Sequence, residues 1–133
     1  MAEQIYSTAE EAAEGARQHL APQYAPFGKE PRVFIVEACG LKCVCVPWGF
    51  TKMKAAINRI GDLETVSGKM AFAEARTVDT IWWIEGQHEP GRIGALKHAR
   101  ALAELGDEYA SLLYQICGAA VAQESGAQGT GAA

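Results

Sequence analysis

The stretch RVFIVEACGLKCVCV, residues 32–46, carries the clearest fold signal in the chain. Arg32 to Cys39 and Lys42 to Val46 are rich in Val, Ile and Phe, the residues that fit a pleated, half-buried surface. Gly40-Leu41 lies between them. Glycine at the first central position suits a two-residue type II′ turn, so the stretch predicts a β-hairpin. Pro47 ends it, because proline has no N–H for a central ladder.

Upstream, Ser7…Glu10 and Thr8…Glu11 both have capping-box spacing, and a helix is expected from there to about Leu20. Ala12, Ala13 and Ala16 give it a small-residue face, which Gly15 weakens. Pro22 to Pro31 holds three prolines, Tyr24 and Phe27, and reads as an extended linker pinned by two aromatics.

Downstream, Thr51 is the expected cap of a helix through Ile60, with Gly61 after it. Leu63–Val66 and Lys69–Arg76 flank the turn dipeptide Ser67-Gly68 and read as two strands. Val78 to Glu85 alternates best as a strand. Adjacent Trp82 and Trp83 then point to opposite faces of the sheet. Pro90 opens a helix to about Leu105. Asp107 caps another through about Ala122, with Tyr109, Leu112, Leu113, Ile116, Cys117, Ala120 and Val121 around most of its circumference.

The expected architecture is therefore α+β. An antiparallel sheet of about five strands has helices on one face, in the order α-ββ-α-βββ-αα. The 133 residues suit a single domain over residues 1–123, followed by a Gly/Ala/Ser tail over 124–133 that has no periodicity and is expected to be flexible.

Charge narrows the function classes. Twelve basic and sixteen acidic residues give a net charge of −4. That argues against phosphate-backbone tracking and against an anionic membrane surface. No stretch is long and apolar enough to span a bilayer. The N-terminus shows no export signal, so the four cysteines read as thiols in a reducing cytoplasm.

Four constellations bear chemistry. Cys39, Cys43 and Cys45 surround the hairpin turn. As a zinc site they would need a fourth ligand from His19, His88, His98 or Cys117, and they lack paired knuckle spacing. Small apolar residues in a sheet explain them better. The loop before the Pro90 helix brings Glu85, His88 and Arg92 to a helix start, where an anionic substrate could meet a general acid/base. A solvated loop has the same composition. Glu37 inside an apolar strand fits an exposed position by alternation. The aromatics Trp48, Phe50, Trp82 and Trp83 are the fourth group. One tryptophan on an open sheet face would mark contact with a partner.

No phosphate-loop, dinucleotide, nucleophile-elbow or metalloprotease motif occurs, and no cofactor is implied. These readings favour a non-enzymatic protein-binding module, an adaptor, inhibitor or chaperone, acting on a protein partner or as a homo-oligomer. A small enzyme at the His88/Arg92 loop and a thiol metal site are the alternatives.

Overall fold

The fold was read from a computed structural model that describes residues 5–106, 109, 112, 114–116 and 118. Helix α1 (Ala9–Tyr24) is followed by a 3-10 turn (Ala25–Phe27), strands β1 (Phe34–Ala38) and β2 (Leu41–Cys45), helices α2 (Phe50–Ile60) and α3 (Val66–Thr80), strand β3 (Ile81–Ile84) and helix α4 (Gly91–Ala103). Leu112, Tyr114, Gln115, Ile116 and Gly118 are also helical. The predicted Asp107 cap and the tail from Glu124 lie outside the described residues.

The class is α+β with an antiparallel sheet, as expected, but the described sheet has three strands rather than five, in the order β1-β2-β3. Helices cover both of its faces rather than one. On one face, Phe34, Val36, Ala38, Cys43, Cys45, Ile81 and Ile84 pack with Ala95 and Ala99 of α4 and with Leu112 and Ile116. On the other, Val44, Val46 and Trp83 pack beneath Ala9, Ala12, Ala13 and Ala16 of α1. Alanines let that helix lie close to the sheet. Val44 is fully buried between the layers, a side-chain burial that contributes roughly 1.5–3 kcal/mol.

The hairpin forms with its register displaced by one residue. Ala38 faces Leu41 and Glu37 faces Lys42, so the turn residues are Cys39 and Gly40. Their φ angles are 54° and 76°. Positive φ at both central residues is the type I′ geometry, whose twist matches that of the flanking strands, rather than the expected type II′. Cys39 therefore leaves the ladder, and Glu37 is exposed as alternation predicts.

In place of the two strands predicted over 63–76, the chain forms one helix from Val66, with Leu63 to Thr65 leading into it. Thr65 caps it, its Oγ1 accepting from the Gly68 N–H at 2.9 Å. Asp62 Oδ1 accepts from the Glu64 N–H at 2.8 Å and turns the chain into that cap. Ser67-Gly68 thus occupies a first helical turn, and a Cβ on Gly68 would collide with the Asp62 carbonyl oxygen. Ala71, Ala73 and Ala75 favour a helix over a strand. The helix consumes Val78 to Thr80, which leaves a strand of Ile81–Ile84 in place of Val78–Glu85.

Three boundaries also move. The helix α1 continues past Leu20 through Pro22 to Tyr24, so the predicted extended linker begins as helix. Its start is as read, with Thr8 Oγ1 accepting from the Glu11 N–H at 3.2 Å. The cap of α2 is Gly49 rather than Thr51, and Pro90 is the N-cap of α4 rather than its first helical residue.

The helix at 66–80 makes a discriminating prediction. Thr65→Ala is expected to lower stability by about 1 kcal/mol, the usual loss of a helix cap. Ser67→Ala, in an exposed first turn, is expected to stay within about 0.5 kcal/mol of the parent. Urea denaturation measures both, and a larger loss at Ser67 than at Thr65 would restore the turn reading.

Candidate functional site

The site originates in an irregularity of β3. Cys43 faces Ile84 and Val44 faces Trp83, but Cys45 faces Ile81. One step along β2 thus corresponds to two along β3, and Trp82 is the extra residue. A bulge of this kind interrupts strand alternation. Ile81 and Ile84, three residues apart, both enter the α4-side core. Trp82 and Trp83 both turn to the α1 side, not to opposite faces as alternation predicts. Trp83 is 3% exposed and fills the space under α1, while Trp82 stays half-buried.

The tryptophans open onto a cleft of about 460 Å³ bounded by α1, β3 and the start of α4. Tyr6, Gly15, Gln18 and His19 form one wall, and Gly91 and Arg92 close the other. The His19 ring lies 5.1 Å from the Trp82 ring, tilted by 49°. Tyr6 lies directly over Gly15, where any Cβ would meet its phenol. The glycine that weakens α1 on paper is the one that admits this tyrosine.

Arg92 reaches across to the end of α3. Its Nε donates to the Ile81 carbonyl at 3.0 Å, and its Nη2 donates to the Asp79 carbonyl. Burial lowers the guanidinium pKa, and the nearby Asp79 charge opposes that shift. The Asp79 carboxylate itself accepts from Trp48 Nε1 at 2.8 Å.

The Glu85–Gly91 loop is organised by a residue that sequence reasoning passed over. Gln87 is buried. Its Oε1 accepts from the Ile84 N–H at 2.8 Å, and its Nε2 donates to the carbonyls of Glu89 and Gly91 at 2.8 and 3.2 Å. This amide satisfies three backbone groups that would otherwise be left over where β3 ends.

Of the predicted residues, the structure therefore brings Trp82, Trp83 and Arg92 together. It places the others elsewhere. His88 is exposed and meets the His98 ring edge-on, 6.5 Å away. Glu85 Oε1 accepts from the Lys42 N–H at 3.3 Å. Glu85 and His88 thus both neighbour His98, while Arg92 has a separate set of partners. Trp48 packs edge-on against Phe72 at 5.2 Å, with the Arg76 guanidinium 5.5 Å above its ring, and ties the loop after β2 to α3. Phe50 is 72% exposed at the start of α2.

Cys43 and Cys45 are fully buried on the α4 side, and Cys39 sits in the turn with its Sγ 3.3 Å from Gln115 Oε1. Burial, reinforced by Cys45, Cys39 and Glu85, pushes the Cys43 thiol far above its ordinary range, which disfavours a thiolate ligand. Among the described residues, no three His, Cys, Asp or Glu side chains gather as a ligand set.

Tyr6 and Gln18 are site residues that sequence reasoning missed, and His19, considered there only as a metal ligand, belongs to this cleft. Gly15, Gln18 and His19 follow i, i+3, i+4 spacing, which puts them on one helix face. That was the available signal. Comparison with protein-family models, curated proteins and solved structures found no match.

His98 gives a pH prediction. Burial lowers its pKa below the ordinary 6.5, with His88 acting in the same direction and a backbone hydrogen bond at Glu85 opposing. Below pH 6.5 the unfolded chain then holds more protons than the folded one. Stability is therefore complete above that pH and falls as the pH drops through the folded pKa. His98→Gln is expected to flatten this slope in thermal melts between pH 7 and pH 5, roughly the range in which a histidine changes charge. An unchanged slope would contradict the assignment.

Proposed function

We propose that this chain is a non-enzymatic binding protein that recognises a partner protein through the cleft at Trp82. The observation that supports this reading is the division of labour between the two tryptophans. Trp83 completes the core, while Trp82 is displaced by the bulge and half-exposed on the wall of a cleft. An indole in that position offers a large, rigid contact area, the property that makes tryptophan an energetic anchor at interfaces. A cleft of about 460 Å³ has the size of a small-ligand or side-chain pocket. An adaptor, inhibitor or chaperone is the class that fits.

A reducing, cytoplasmic setting belongs to the same proposal, and the buried thiol of Cys43 fits it. Among the described residues no helix is long and apolar enough to cross a membrane.

Tagged full-length chain isolated from its native host, in parallel with Trp82→Ala, His19→Ala and Phe50→Ala, tests the reading. The parent is expected to retain a protein in near-stoichiometric amount. Trp82→Ala should retain at least about tenfold less, equivalent to about 1.4 kcal/mol of binding energy. His19 is exposed on a helix surface, so His19→Ala should weaken capture with no change in melting temperature. Full retention by both variants overturns the reading. Loss with Phe50→Ala alone moves the contact to α2.

A further inference from the structure

We propose that the cleft at Trp82 selects an acidic peptide segment, seating a carboxylate beside an aromatic side chain. This rests on the preceding reading of the cleft as the recognition site.

Among the described residues, the lining carries donors and no carboxylate. Its described residues are Tyr6, Gly15, Gln18, His19, Trp82, Trp83, Gly91 and Arg92. Not one is Asp or Glu, although the chain has sixteen acids against twelve bases. Arg92 is thus the one permanent charge among the described lining residues of a protein that is acidic overall, and Glu14, which accepts from the Gln18 amide, stands outside that lining. Complementarity of this kind steers partners and rejects those of the wrong charge.

Three separate features converge on an anion. The first is Arg92. Of the five N–H donors of a guanidinium, the two assigned above go to backbone carbonyls, which carry no net charge. The Asp79 charge acts on the guanidinium from nearby, but neither of these two bonds ends on a carboxylate, so the half-buried cation retains attraction for one. The second is the start of α4. Gly91 and Arg92 are its first residues, and Pro90 at the N-cap supplies no side-chain acceptor. The first-turn N–H groups and the positive end of the helix dipole therefore lie at the cleft. The third is Trp83. It lines the cleft, is 97% removed from solvent, and its buried Nε1–H has no acceptor among the described residues. A buried donor in that state costs about 1–3 kcal/mol. The nitrogen has almost no accessible surface, so an incoming carboxylate oxygen removes the deficit only when the indole or its cover shifts to admit it.

The aromatic half of the ligand follows from Trp82, His19 and Tyr6. Two tilted rings 5.1 Å apart and a phenol beside them provide flat apolar walls. An aromatic side chain packs there with offset or edge-on geometry. A bare phosphate or acetate leaves those walls wet. A cleft of about 460 Å³ has room for two adjacent side chains.

The experiment titrates the full-length chain with Ac-Phe-Asp-NH2, Ac-Phe-Asn-NH2, phenylacetate and inorganic phosphate, read by calorimetry and tryptophan fluorescence. The Asp peptide is expected to bind at least about tenfold tighter than its Asn isostere and to weaken as salt is raised. Equal affinity for the two peptides, or no binding of the Asp peptide, overturns the proposal. Tighter binding of phenylacetate than of the peptide assigns the cleft to a free small acid, and tighter binding of phosphate assigns it to an inorganic anion. Either result overturns it as well. Gln18 lines the cleft from an exposed helix position, so its charge can be changed without disturbing the core. Gln18→Glu should weaken Asp-peptide binding about two- to fivefold and Gln18→Lys should strengthen it by a similar factor, the range expected for one exposed charge. Indifference to both substitutions also overturns the proposal. If the peptide arms fail while Trp82→Ala still loses the host partner, only the ligand chemistry is wrong. If Trp82→Ala retains the partner, the recognition reading itself fails.

Discussion

One residue more in β3 than its pairing with β2 can absorb determines how this molecule is layered. The extra residue, Trp82, sits where Val44 and Cys45 are consecutive on the neighbouring strand. Without it, Ile81 and Ile84 would face opposite layers and one tryptophan would be driven against α4. With it, both isoleucines enter the α4-side core and both tryptophans face α1. The same local distortion ends regular pairing and positions a cleft beside a helix start. A defect in a ladder thus sorts four large side chains into two layers.

The hairpin was legible because its apolar pattern and its glycine act at short range. Its register was not, because a turn type II′ at Gly40-Leu41 and a type I′ at Cys39-Gly40 differ by one residue and both contain the glycine. The structure selects the latter even though Cys39, rather than asparagine or glycine, must adopt a φ of 54°. The segment from Leu63 to Thr80 was misread for a related reason. Alternating alanines and larger residues satisfy period two as well as a helix does, and Ser67-Gly68 serves equally in a turn and in a first helical turn. The deciding atoms are the carboxylate of Asp62, which turns the chain at the Glu64 N–H just ahead of the helix, and the hydroxyl of Thr65, which meets the Gly68 N–H only once the helix has begun.

The site was legible as residues and hidden as a place. Trp82, Trp83 and Arg92 stand out in the chain as aromatic and charged outliers. Their convergence depends on the bulge, which alternation cannot reveal, and on the N-terminal segment more than sixty residues earlier, which supplies Tyr6 from just ahead of α1 and Gln18 and His19 from α1 itself. Arg92 also stood in the sequence as a catalytic candidate beside His88. Its bonds to the Asp79 and Ile81 carbonyls direct it to the other side of its loop, and His88 is left with His98. Local adjacency therefore grouped the wrong pair.

The contacts of Gln87 and Arg92 also bear on self-association. β3 is the last strand in the order β1-β2-β3, so its outer rim is an open sheet edge in backbone terms. The Ile84 N–H is already taken by the Gln87 side chain and the Ile81 carbonyl by Arg92. A foreign strand docking there finds its hydrogen-bonding template occupied. Natural sheets block edges in this way against aggregation. Growth by strand addition, whether in a domain swap or in a fibril, is thereby directed to the opposite edge of the sheet, at β1.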